Sequence, residues 1–136
     1  MSGYTRTYHV GAAVNAQGHE ARIVRHIAPA GGRARVQLST ANAADILFAA
    51  GVVVDVPAGP ALGQSVSVCV SGPCEVIAGA GWGAAARPHF VSDANGAAVP
   101  AADNQAALGV LLLDGNARPV AGERVGAIVC HTNQGA

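Results

Sequence analysis

QSVSVCVSG, residues 64–72, alternates apolar and polar side chains along most of its length. Successive residues of a strand point to opposite faces, so this period of two puts Val66, Val68 and Val70 on one face and Ser67, Cys69 and Ser71 on the other. Upstream, VVVDV (52–56) has the same β-branched character, and PAGPALG (57–63) between them is a loop of helix breakers. Downstream, Ser71-Gly72-Pro73 has the composition of a turn, after which CEVIAG (74–79) becomes a returning strand.

The same grammar extends in both directions. ARIVRHIA (21–28) places Ile23 and Arg25 on one side, and RARVQLS (33–39) has Val36 and Leu38 two apart. The Pro-Ala-Gly-Gly between them makes a hairpin across Gly31 and Gly32, because glycine tolerates positive φ. NAADILFAAG (42–51) is less regular and predicts a short helix capped by Asn42 and ended by Gly51. After the punctuating GAGWGAAA (79–86), RPHFVSDANGAAVP (87–100) reads as strand, turn, strand, with the turn at Asp93-Ala94-Asn95-Gly96. ALGVLLL (107–113) and RVGAIVCH (124–131) are two further apolar runs separated by the turn segment DGNARPVAGE, and LGVLLL is continuous enough for a central strand. Met1 to Glu20 is polar and turn-rich, an extended arm of the kind that orders on a partner. The expectation is an all-β protein, a small barrel or sandwich over residues 21–136, with an arm over 1–20, at most one short helix and no internal repeat.

The chain of 136 residues is one domain's worth, able to bury roughly 65–70% of the surface it exposes when unfolded. Its hydrophobic fraction of 51% overstates the core, since aromatics are 4% and much of the rest is alanine, which buries little area; association between subunits would make up the difference. Eight basic residues, all arginine, balance eight acidic ones. That leaves no net field to attract polyphosphate, which argues against nucleic-acid binding, and a charge-poor surface that is easily desolvated against protein. No run approaches the roughly 20 apolar residues of a membrane span, and MSGYTRTYHV has no apolar segment of signal-peptide type, so no membrane partner and synthesis in the cytosol are expected.

No constellation of catalytic residues stands out. Gly-x-Ser-x-Gly is missing, and Cys130-His131 are neighbours whose side chains leave a strand on opposite faces. GAGWG (79–83) lacks the Gly-Lys-Ser/Thr that would make it a phosphate cradle. The five histidines are scattered with no metal-binding spacing. Cys69 and Cys74, five apart across the expected turn, have three readings: free thiols, the default for an odd cysteine count in a reducing compartment; a disulfide; or half of a metal site completed by Cys130 and His131. No catalytic residue, metal or cofactor is expected, and the candidates for partner contact are Tyr4, Arg6 and Tyr8 of the arm, the arginines Arg22, Arg25, Arg33 and Arg35, and Trp82, which is either a core plug or an exposed anchor.

From Ala44 to Val129 the order of elements resembles the capsid decoration, or cement, proteins of tailed bacteriophages. The resemblance rests on Ala-Asp-Ile-Leu at 44–47, Gly51 and its valine-rich strand, AGPALGQSVSVCVSGPCEVIAG (58–79), a glycine-rich spacer, FVSDANGAAV (90–99), ALGVLLL and AGERVGAIV (121–129). YHVGAAV (8–14) followed by ARIVRHI is also similar to how these proteins begin, whereas the tryptophan and Arg-Pro-His of the spacer depart from their plainer link. The resemblance implies a β-barrel-like homotrimer on the outer surface of a virion, made in the host cytoplasm, that binds the major capsid protein and stabilises the head without chemistry. The competing reading is a receptor- or glycan-binding β module of a virion surface, which would need a cleft lined by more aromatics than this chain has.

Overall fold

The computed structural model describes residues 4–10, 21–40, 49–55, 65–83, 86, 88–102, 105–113 and 119–133. Within them lie nine strands: β1 (Tyr4–Val10), β2 (Ile23–Ala30), β3 (Arg33–Leu38), β4 (Ala49–Asp55), β5 (Ser65–Ile77), β6 (His89–Ser92), β7 (Ala98–Pro100), β8 (Ala106–Leu111) and β9 (Arg124–Asn133). They form one sheet in the order β1-β3-β2-β4-β5-β9-β8-β6-β7. The protein is all-β, and the described residues contain no helix.

The sheet is open as a whole, but its first five strands close on themselves. β1 runs parallel to β3, with His9 opposite Arg35, and antiparallel to β5, with Tyr8 opposite Val66. Tyr4–Val10 of the polar N-terminal segment is therefore a strand of the sheet, flanked on both sides. The side chains facing into this ring make one core: Tyr8 from β1, Val24 from β2, Val36 from β3, Ala50 and Val53 from β4, Val66 and Val68 from β5.

A second core lies outside the ring. Ile23, Val52 and Cys69 belong to the same strands as Val24, Val53 and Val68 but point the other way, onto Val76 farther along β5 and onto Phe90, Leu108, Leu111, Ala127 and Val129 of the remaining strands. β2, β4 and β5 are thus buried on both faces along part of their length, which is why Val52 and Val53, adjacent in sequence, are both wholly inaccessible. Each such valine contributes about 1.5–3 kcal/mol of transfer free energy, and alanines such as Ala49, Ala98 and Ala127 let the layers approach closely.

β5 joins the two layers, and here the expectation of a turn at Ser71-Gly72-Pro73 is corrected. The chain does not reverse; it runs on as one strand of 13 residues. Up to Ser71 it pairs with β1 and β4, and from Gly72 to Ile77 with β9. Gly72 has a φ of 88°, in the left-handed region, so the strand kinks and changes partner there. Pro73, with no N–H for the ladder, sits at that change. The partner of residues 72–77 is β9, some fifty residues away in the chain.

The expected short helix falls mostly on residues 41–48, outside the described set, but Gly51 does not end one. Ala49–Gly51 open β4, and Gly51, at φ 150°, lets its backbone press against β5: a Cβ here would collide with the Cys69 carbonyl oxygen. Other readings hold. Gly31 and Gly32 join β2 to β3, Asp93–Gly96 joins β6 to β7, and β8 is central between β9 and β6. The Asp93 Oδ1 accepts from the backbone N–H of Asn95 and Ala97 at 2.8 and 2.9 Å, and the Gly96 carbonyl accepts from Ile23 N–H at 2.8 Å, docking the turn on the ring.

Gly51→Ala meets both an unfavourable φ and backbone overlap with Cys69, and is expected to cost about 3 kcal/mol or more. Gly122→Ala, at φ 92° with nothing within 4 Å of the added Cβ, carries backbone strain alone, about 1–2 kcal/mol. Urea unfolding of the two variants against the parent protein measures the difference.

Candidate functional site

The expected contact residues divide by burial. On β1, Tyr4 is 63% exposed and Arg6 is exposed as well, while Tyr8 is buried in the ring core, edge-on to the His26 ring with centroids 5.3 Å apart. Tyr8 is therefore a packing residue, not one offered to a partner. Trp82 likewise resolves to the core plug: it is 5% exposed and its Nε1–H donates to the Ala98 carbonyl at 2.9 Å. The Gly79 N–H donates to the same carbonyl at 2.6 Å, so the glycine-rich segment folds over β7 and covers the last strand of the sheet, removing a free edge.

Arg22 stands apart from the arginines of the β2–β3 hairpin. Arg25 lies opposite Gln37 and Ile27 opposite Arg35 in the β2–β3 hairpin, so these four share the ring's outward face. With the Gln37 amide oxygen turned toward it, Arg25 donates from Nε and Nη2 at 3.2 and 2.6 Å. Arg35 Nε donates to the Ala28 carbonyl at 3.0 Å. Arg22 Nη1 reaches the Asn95 carbonyl at 2.9 Å and ties the other end of β2 to the Asp93–Gly96 turn. Arg33 opens β3 opposite Ala30; its side chain lies outside the described residues. Three of the four arginines are thus engaged within the fold, each with a donor spent on the protein's own carbonyl or amide oxygen.

The sequence reading did not single out the outward face of the second layer. Cross-strand pairing lines up His89, Val110, Ile128 and Pro73 in one row over four strands. Beside this row is Leu112, whose N–H donates to the Gly126 carbonyl at 2.9 Å and whose side chain is 55% exposed. Paired residues share a face, so this is a half-buried to exposed apolar strip carrying one imidazole, with Glu75 alongside at the Gly126 position. His89 Nδ1 is buried and has no hydrogen-bond partner among the described residues. The signal was present in the sequence: Val110 and Leu112 alternate with the buried Leu111, but an all-apolar run hides its own period.

Where β4, β5 and β9 meet, Ala21, Val53, Val54, Glu75 and Arg124 line a hollow of about 100 Å³, well below the roughly 300–1,000 Å³ of a small-molecule site. Among the described residues, no group of three or more His, Cys, Asp and Glu side chains comes together. Cys69, Cys74 and Cys130 are free thiols, buried, half-buried and exposed respectively. Burial, and then the adjacent Cys69 thiol, pushes the Cys74 thiol up to about 12.

No protein-family model matches the sequence, and no curated protein is similar to it in sequence. In structure, the chain is similar to the N base of the head fiber gp8.5 of bacteriophage phi29, with a TM-score of 0.62, over 98% of each chain and at 13% identity. At that identity the likeness is one of fold.

Trp82→Ala is expected to cost about 3–5 kcal/mol. As Trp82 is the sole tryptophan, its emission should be blue-shifted and resistant to acrylamide in the parent protein, moving to the red on unfolding. The Cys74 thiol has its folded value raised from 9.0 to about 12, so the folded state prefers it protonated. Its contribution is complete below pH 9 and is lost as pH rises toward 12. Cys74→Ser should flatten that alkaline decline in denaturant-unfolding profiles taken between pH 8 and 11.

Proposed function

We propose that the chain is a non-enzymatic structural protein of a phage head, seated on the outer surface of the assembled shell, where it binds the major capsid protein and further copies of itself as a homotrimer. The observation that carries this reading is the end-to-end likeness of fold to a phage head fiber base, in a chain whose own sequence resembles capsid decoration proteins. The two-layered, doubly buried architecture suits a rigid fitting. The apolar strip around Leu112 is the surface we assign to the shell or a neighbouring subunit, since exposed apolar area that desolvates cheaply is what a protein contact uses.

Such a protein works by linkage. Anything that binds the assembled lattice in preference to free subunits stabilises the lattice, and many identical sites multiply the effect. The reaction needs no bond-making group.

Heads assembled without this protein, mixed with the purified chain, should co-sediment with it and withstand a higher temperature before releasing their contents. Leu112→Asp, at a side chain already half in water, should leave folding stability within about 0.5 kcal/mol and weaken co-sedimentation by about tenfold or more. If the parent chain stays in the supernatant and the heads gain nothing, the assignment is wrong.

A further inference from the structure

The kink of β5 holds two sulfurs together. In an uninterrupted strand, residues five apart are separated by roughly 16 Å. Here the left-handed Gly72 folds that distance away: Cys69 Sγ lies 3.4 Å from the Ser71 carbonyl oxygen, 3.7 Å from that of Gly72 and 3.9 Å from that of Pro73, so the intervening backbone wraps the sulfur. Cys74, next in the chain after the Pro73 carbonyl that the Cys69 sulfur touches, comes back onto the same core and packs against the cluster that contains Cys69. Cys69 is fully buried and Cys74 half-buried, so Cys74 is the more open of the two to a small reagent.

We infer that Cys69 and Cys74 are a latent cystine, closed by a low-molecular-weight disulfide into an intramolecular bond that pins the crossing of β5 between the two layers. The Cys74 thiolate attacks one sulfur of the reagent, breaking its S–S bond, and the first reagent thiolate leaves. Cys69 then gives up its proton and attacks the Cys74 sulfur, displacing the second reagent thiolate. Two electrons pass from the cysteine pair to the reagent, and the two protons go to the two departing thiolates. The accessible sulfur is the point of entry and the buried one resolves it, so the mixed disulfide does not accumulate. Because Cys74 is held protonated by burial and by its neighbour, entry is slow at neutral pH and follows the thiolate fraction, rising about tenfold per pH unit. The bond ties residues that pair with β1 and β4 to residues that pair with β9, so it acts on the joint between the layers.

The test uses the full chain carrying Cys130→Ser, which removes the exposed thiol on β9. The folded protein is treated with excess glutathione disulfide at pH 8 and pH 9, quenched in acid, unfolded, alkylated and weighed. Loss of both thiols with the mass of two hydrogen atoms, no lasting glutathione adduct, and a rate about tenfold higher at pH 9 are the expected results. With Cys69→Ala added, the adduct on Cys74 should persist. A stable adduct on Cys74 while Cys69 still alkylates, or closure only once the chain has been unfolded, would overturn the inference. Should the Cys69→Ala chain not fold, the mass of the Cys130→Ser protein decides alone.

Discussion

The architecture depends on one strand belonging to both layers of the sheet. β5 gives its first half to the five-membered ring and its second half to the open layer, and both cores lean on it: Val66 and Val68 in one, Cys69 and Val76 in the other. A strand can serve two layers only if its backbone is free to kink between them and if both of its faces are apolar near the kink. Gly72 meets the first condition. Cys69, set among serines, meets the second by being small and weakly polar enough for a core.

Other contacts follow from that arrangement. Gly51 must lack a side chain because β4 crosses β5 against the Cys69 carbonyl, beside the kink. The Asp93–Gly96 turn and Arg22 hold the far layer to the ring at β2, and Trp82 closes the far edge at Ala98. With these ties at both ends, the two layers meet along an apolar seam in which Ile23, Phe90 and Leu108 pack among valines and alanines. Among the described residues this leaves an apolar strip around Leu112 on the outward face of the second layer, the surface that the proposed role on a phage head assigns to a protein contact.

Much of this was legible in the residues, for reasons that are local. Period-two alternation over 66–70, the paired glycines at 31–32 and the Asp-x-Asn-Gly turn at 93–96 each act within a few residues, and each appears where it was expected. What was not legible was decided at long range. Ser-Gly-Pro has the same composition whether it reverses a chain or kinks it, and the choice is made by the β9 ladder that captures residues 72–77. Alternation assigned Cys69 to a face but not to water or core, since the covering layer comes from later in the chain. The arginines of 22–35 are close in sequence, but the register puts Arg25 and Arg35 on a hairpin face, and Arg22 bonds to a distant turn.

The parallel pairing of β1 with β3 and its antiparallel pairing with β5 carry a further consequence, for how the molecule is made. β1 has a partner, Val66 opposite Tyr8, that is synthesised nearly sixty residues later. Until then the ring stands as a strip with two unsatisfied edges, and the loop that must be closed is long, which slows assembly and lengthens the time during which a neighbouring nascent chain can donate the missing strand instead.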